Sequence, residues 1–368
     1  MKLCKSFRLI ISGDVMTGRG IDQILPHPGD SQIYEGYLHS SVDYVRLAET
    51  QSGRLPEDIP FSYPWGDALT EMDNRSPAAR IINLETAVTG CDDYCRGKGI
   101  NYRMHPDNMP CLTAAKIDVC TLANNHVLDW GYGGLKETLL SLRSVGLAQA
   151  GAGGDLPEAS APAIITAGDS RILVFACGHP SSGVPGDWGA GDDRPGINLL
   201  PDLSPQCADT LVREIVKHRR VGELLMVSIH WGGNWGYQVP EEQRDFAHRL
   251  VDAGVDLVCG HSSHHPKGIE IYRQRPIFYG CGDLINDYEG ISGHDAFRPE
   301  LRILYSVDLD RESGEVRGVE LIPFESHKLR LCRATAADTA WLQKTLNREY
   351  RSIGMHLETT ESGLMLRC

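Results

Sequence analysis

An α/β fold is what the sequence predicts, on three observations. Apolar, β-rich runs alternate with amphipathic helical patterns, as in strands packed against helices. Some of the runs are apolar throughout, as strands buried on both faces are. Five of them end in Asp, Glu, Asn or His, polar groups that an α/β fold gathers where its strands stop.

Taken in order, FRLIIS (7–12), ARIIN (79–83), IDVCTLA (117–123), RILVFA (171–176), ELLMVSI (223–229), VDLVC (255–259) and PIFYG (276–280) read as strands. Between them YGGLKETLLSLRSVG (132–146), SPQCADTLVREIVKHRR (204–220) and PEEQRDFAHRLVDAG (240–254) read as helices, the last two opening with helix-start chemistry. LRILYSVDLD (301–310) and SGEVRGVELIPFE (313–325) flank an acidic, Gly-containing turn and read as paired strands of a second sheet packed on the first; TAADTAWLQKTLNREYRS (335–352) reads as a terminal helix. Residues 1–330 are thus expected to form one domain, with 331–368 a helical extension packed on it. Residues 26–66 and 178–202, rich in Gly, Pro and Ser, read as long loops, and loops of that length in a compact domain are lids or substrate walls.

Bulk properties narrow the function classes. The chain has 368 residues, 41% of them hydrophobic, enough for a large globular core. A net charge of -13 argues against nucleic-acid or membrane-surface binding, because polyanions are repelled unless a local basic pocket or bound cations reverse the field. No stretch approaches the ~20 apolar residues that span a bilayer. The opening MKLCKSFRLIISGDVMTGRG has too short an apolar core for a secretory signal, so a cytoplasmic protein is expected. Of eleven cysteines, Cys120, Cys177 and Cys259 sit in apolar runs as small hydrophobes. Cys91 and Cys95 match no strong zinc spacing and read as idle thiols.

The strand ends carry the chemistry. After FRLIIS comes Gly13-Asp14; after ARII, Asn83-Leu84-Glu85; after VCTLA, Asn124-Asn125-His126; after LLMVSI, His230-Trp231-Gly232; after DLVC, Gly260-His261. Each has a bland explanation as a turn, cap or hydrogen-bonded histidine. Together they converge if the strands share a sheet edge. Mixed carboxylate and imidazole donors without thiolate suit Mn, Fe, Zn or Co, and a bridging carboxylate allows two ions about 3.5 to 4 Å apart. Such a pair holds a hydroxide nucleophile and draws the oxyanions of a phosphate ester, so a metal-dependent hydrolase follows.

GDVMTGR, INLETAVT, LANNHVLDWG, SIHWGGNWGY and GHSSHHPKGIE, in this order, resemble the motifs of the poly-gamma-glutamate capsule synthesis proteins of the CapA type, a branch of the calcineurin-like metallophosphoesterase superfamily. The resemblance runs from about residue 7 to residue 290. It implies a four-layer α/β/β/α sandwich with two divalent ions at the strand ends. By that resemblance Asp14 is a ligand of the first ion, Glu85 the bridging carboxylate, Asn125, His230 and His261 ligands of the second ion, and His264 a ligand of the first. His126 corresponds to the histidine that contacts the scissile phosphate and protonates the leaving group, a task suited to a side chain that titrates near neutrality. Asp129 fits two compatible roles, orienting His126 and capping the following helix. Aligning on Gly268-Ile269-Glu270 makes His264 the ligand and His265 a supporting or substrate-facing residue. Arg19, Arg103, Lys98 and Lys267 flank motifs as candidate anion contacts, arginine being the side chain that grips phosphate or carboxylate through two bonds.

The pattern also departs from the family. Met16 stands where the superfamily's first motif has histidine, leaving the first ion fewer ligands; Ser262 and Ser263 interrupt the last motif; Asp283 stands where the family has Asn, in a ligand or ligand-supporting position. The expected function is hydrolysis of a phosphate ester. The alternatives are hydrolysis of a γ-glutamyl amide at the same centre, or a non-catalytic assembly factor that binds polyglutamate. The presence of His126 favours chemistry.

Overall fold

The computed structural model describes residues 6–168, 170–350 and 354–367. The first five residues of the N-terminal stretch, and positions 351–352 of the expected terminal helix, lie outside them. Strands form where apolar runs meet, and they gather into two principal sheets. The larger, ten-stranded sheet runs in the order His356–Thr359, Leu364–Arg367, Val316–His327, Leu301–Asp310, Ser6–Val15, Ala79–Leu84, Val119–Thr121, Ala148–Ala150; Asp283–Ile285 and Arg330–Arg333 join it off this path. The six-stranded sheet runs Ile269–Tyr272, Arg275–Phe278, Leu257–His261, Leu224–His230, Ser170–Gly178, Ala163–Ala167.

Side-chain alternation assigns each sheet its neighbours. Along Ser170–Gly178, Ile172, Val174 and Ala176 join a core that also holds Ile81, Val119 and Leu309 of the larger sheet. Leu173, Phe175 and Cys177 point the other way, into a core with Leu211 and Ile215 of helix Pro205–Val216 and Phe246 and Leu250 of helix Glu241–Asp252. This period of two is what a strand buried on both faces produces. Each Leu or Phe so buried stabilises the fold by about 1.5–3 kcal/mol. Leu135, Leu139 and Leu142 of helix Gly131–Ser144 and Leu342 and Leu346 of helix Ala336–Tyr350 line the larger sheet's core.

Parallel pairing brings the polar strand ends together. Ser6–Val15, Ala79–Leu84 and Val119–Thr121 run parallel in one sheet, and Ser170–Gly178, Leu224–His230 and Leu257–His261 run parallel in the other. His230 and His261 are direct Cα partners across adjacent strands. Asp14 pairs with Asn83 on one side and with Asp283 on the other.

Two expectations about connecting segments are corrected. Residues 26–66 are not wholly loop: they carry helix Val42–Ser52, whose buried residues are only Tyr44 and Ala48, too sparse a stripe to read as an amphipathic face. The region after residue 330 is not only helical. Strand Arg330–Arg333 pairs with Val316–His327, and a hairpin of His356–Thr359 and Leu364–Arg367 extends the larger sheet beyond helix Ala336–Tyr350.

Candidate metal centre

Asp14 leaves its strand through a backbone crossing that only glycine permits. A Cβ on Gly13 would lie 1.5 Å from the Gly282 carbonyl oxygen, while the Asp14 N–H donates to that same oxygen at 2.9 Å. The Asp14 carboxylate, fully buried, accepts from Asn83 Nδ2 at 2.7 Å and from the Ser262 N–H at 3.1 Å. Ser262 sits at φ 92°, a conformation disfavoured for a side-chain-bearing residue, and its hydroxyl donates to the Gly232 carbonyl at 3.0 Å. Backbone strain of this kind persists where surrounding bonds over-determine it.

Around Asp14 the other strand ends close in. Ligand-capable atoms of Asp14, Glu85 and His230 all lie within 4.8 Å of one another, and all three residues are buried. His261 Nδ1 is 3.2 Å from Asp14 Oδ1. His230 Nε2 is 3.0 Å from Asn125 Oδ1 and 3.7 Å from Glu85 Oε1. Asp14, Glu85, Asn125, His230 and His261, spread over 248 positions of sequence, thus meet in one place.

The electrostatics of this cluster suit a cation. Glu85 Oε2 and His261 Nδ1 are buried and make no hydrogen bond, although a buried polar atom left unpaired is costly. The 3.2 Å approach of His261 Nδ1 to Asp14 Oδ1 therefore lacks hydrogen-bond geometry. Burial, with Asp14 and Asp283 close by, pushes the Glu85 carboxyl well above its usual range. Burial also pushes His230 down to about 3, which keeps its ring neutral and able to ligate. Asp14 feels burial in the opposite sense, but His261, His230 and Asn83 outweigh it and hold the carboxyl below its ordinary value. Ionised Asp14, neutral His230, an Asn oxygen and two orphaned polar atoms make a donor set that fits a hard or borderline divalent ion.

His126 stands at the edge of the cluster, with Nε2 3.6 Å from Glu85 Oε1. Its Nδ1 lies 2.6 Å from Asp129 Oδ2. Asp129 also accepts from the Tyr102 N–H at 2.6 Å and pairs with Lys98, whose Nζ is 2.9 Å from His126 Nδ1 and also donates to the Asn125 carbonyl. The following helix is capped by Trp130 without a side-chain bond, so the carboxylate of Asp129 serves His126 rather than the helix start. Burial is the largest influence on His126 and pushes it down to about 4 against the pull of Asp129. The Tyr102 ring meets the imidazole edge-on at 4.6 Å.

The remaining candidates are placed as follows. His264 turns Nδ1 to both oxygens of Asp283, at 3.0 and 3.1 Å, and Nε2 to Asn234 Nδ2 at 3.1 Å. Both nitrogens of His265 are taken by backbone, Nε2 by the Gly236 N–H at 3.0 Å and Nδ1 by the Pro266 carbonyl at 3.1 Å, and Phe297 stacks on its ring. Neither is left for a ligand. Arg19 is buried against Asp287, through two bonds, and Glu35 at 2.8 Å, with Tyr44 beneath; its fork already grips carboxylates of the chain. Arg103 lies over Trp130 at 3.9 Å and bonds Asp92 and the Cys91 carbonyl. Lys267 is buried, donates to the Gly233 carbonyl at 3.2 Å, and is pushed down by burial. Of the candidate anion contacts, Lys98 is the one in direct contact with the His126–Asp129 pair. Cys91 and Cys95 are free thiols.

Residues 178–202 border the centre: the His179 N–H and the Ser182 hydroxyl both donate to the His230 carbonyl, and Trp188 lies under Lys98 at 5.3 Å. Sequence reasoning missed three supporting residues. Asn83 and Asn124 were visible as strand-end amides: Asn83 holds Asp14, and Asn124 donates to Asn83 Oδ1 at 3.2 Å while accepting the His126 N–H at 3.1 Å. Tyr102 belongs to no motif and carried no signal.

Comparison with known proteins agrees with the motif reading. The family described as Bacterial capsule synthesis protein PGA_cap matches residues 8–288. A Mycobacterium tuberculosis (strain H37Rv) protein named a probable polyglutamine synthesis accessory protein is 46% identical over 359 residues, which cover 97% of this chain and 94% of that one. The PGA biosynthesis protein CapA of Bacillus subtilis is 27% identical over 337 residues, 92% of this chain and 76% of its own. The capsule biosynthesis protein CapA of Bacillus anthracis is 24% identical over 279 residues, 75% and 58% respectively.

Proposed function

Since the chain belongs to the bacterial capsule synthesis protein family, we propose that it is a metal-dependent hydrolase, acting on a phosphate ester in polyglutamate or capsule metabolism. What carries this reading is the buried Asp14–Glu85–His230 group with its orphaned Glu85 Oε2 and His261 Nδ1, set beside a His126–Asp129 pair. The two sheets with helices lining both cores support a four-layer sandwich of the calcineurin type as the frame.

In this reading Asp14, Glu85, Asn125, His230 and His261 hold one or two divalent ions, with His264 a further ligand. When bound, such ions supply Lewis acidity and lower the pKa of water. The chain does the rest. Asn83 and the Ser262 N–H fix the Asp14 carboxylate, and Asn124 fixes Asn83. Asp129, held by Lys98 and the Tyr102 N–H, fixes the His126 ring, leaving Nε2 to face the reacting group. Nε2 delivers a proton to the leaving oxygen once an anionic substrate raises the imidazole from its depressed value. Among the described residues no helix is long and apolar enough to cross a membrane, and a cytoplasmic site of action belongs to the same proposal.

The word accessory in the mycobacterial relative's name favours a second reading, in which the centre binds polyglutamate without turnover. One experiment separates the two. Purified protein reconstituted with Mn, Fe or Zn is assayed on phosphomonoesters, phosphodiesters and γ-glutamyl peptides, alongside His126→Ala. The hydrolase reading expects metal-dependent turnover of a phosphate ester that the variant loses while keeping its metal. Turnover of γ-glutamyl peptides alone moves the reaction to an amide, and binding without turnover favours the assembly factor.

A further inference from the structure

The segment CGDLIND, residues 281–287, enters the site on the side of Asp14 away from Asn83, and each of its acidic or amide side chains is buried. Asp283 accepts from His264 Nδ1 through both oxygens, at 3.0 and 3.1 Å, and from Asn286 Nδ2 at 2.7 Å. Asn286 in turn accepts from Arg302 Nη2 at 2.6 Å. Arg302 is 1% exposed and donates to the Pro299 carbonyl as well as to Asn286; among the described residues no carboxylate lies in ion-pair contact with it, and Asp283 and Glu300 act on its charge from further off. A buried arginine with this little compensation is costly unless a network uses it.

These bonds form one line, Arg302 to Asn286 to Asp283 to His264. Burial lowers His264, but Asp283 outweighs it and raises the imidazole above its ordinary value; in its neutral form, with Nδ1–H donated to Asp283, the ring presents an Nε2 lone pair, met by the side-chain amide of the exposed Asn234. An amide N–H and a cation compete for the same lone pair. A carboxylate behind one ring nitrogen is also how a ligating histidine has its tautomer fixed and its basicity raised. We propose that Asp283 is the positioning residue of His264, braced by Asn286 and Arg302, and that this line presents Nε2 of His264 to a second cation beside the Asp14–Glu85–His230 group. The proposal rests on the metal-centre reading above and adds how its outlying histidine is aimed.

The test compares wild type with Asp283→Asn and Asp283→Ala, checked for folding by thermal melting. Metal-free protein is titrated with Mn2+ by calorimetry, and His264 is followed in long-range 1H–15N imidazole spectra of the metal-free form. The weaker of two Mn2+ affinities should fall about 10- to 100-fold in Asp283→Ala, and less in Asp283→Asn, with the tighter one unchanged. The fixed Nδ1–H tautomer of His264 should be lost with it. Unchanged affinities with an unchanged His264 spectrum overturn the proposal, as does equal loss of both affinities. If wild type binds no Mn2+ at all, the metal-centre reading fails, and the spectrum alone decides whether Asp283 holds His264. Should the Asp283 variants not fold, Asn286→Ala, one link further back, is expected to give the same changes at smaller size, and its silence in both measurements overturns the line.

Discussion

At the residue scale Glu85 faces opposing demands: a carboxyl surrounded by Asp14 and Asp283 in a buried pocket resists ionising, yet its Oε2 finds no donor. A divalent ion meets both demands. Glu85→Gln removes the charge while keeping the shape, so it should abolish metal retention and leave the metal-free fold at least as stable, measured by elemental analysis and urea unfolding. His126 differs in the proposed reading, where it borders the group at 3.6 Å from Glu85 and holds no ion. His126→Ala should keep the metal and cost about 10²- to 10⁴-fold in turnover, read from kcat on whichever substrate wild type hydrolyses. Which side chains gather was legible in the sequence where a polar group followed an apolar run, as at Asp14, Glu85, Asn125, His230 and His261. They were not legible where a role depends on a partner far along the chain: Arg19 looked free because nothing in its own motif shows Glu35 and Asp287 arriving on it.

At the scale of elements, the strand ends do the gathering, and glycine sets how closely they approach. Gly13→Ala would drive a Cβ into the Gly282 carbonyl oxygen at 1.5 Å, so the ends bearing Asp14 and Asp283 must part. We expect destabilisation beyond about 4 kcal/mol, or an unfolded product, in chemical denaturation; a variant within experimental error of wild type would show that the two ends are not held in contact. The apolar strands were readable because burial on both faces leaves an unbroken hydrophobic run. Asp283–Ile285 and Ala148–Ala150 were not, since three-residue strands carry too little pattern and owe their existence to neighbours already in place. The terminal hairpin was hidden for a different reason: Leu357, Leu364 and Leu366 alternate as a buried face should, but they follow directly on a strong helical pattern.

At the scale of the whole molecule, the cluster draws its candidate ligands from both sheets, Asp14 and Glu85 from the side of the larger and His230 and His261 from the smaller. An ion held there ties the sheets together. Ligand binding to the folded state alone adds about 2.7 kcal/mol at one hundred times the dissociation constant, so saturating Mn2+ should raise the melting temperature by several degrees and excess chelator should reverse it. The same gain should vanish in Asp14→Asn.

The most direct test is the metal content of protein stripped with chelator, reloaded with Mn2+ or Zn2+, desalted and measured by elemental analysis beside Asp14→Asn. The reading given above expects at least one ion per chain in wild type and a loss of that ion in the variant. Wild-type protein that keeps no metal after reloading, or a variant that keeps as much, would contradict it.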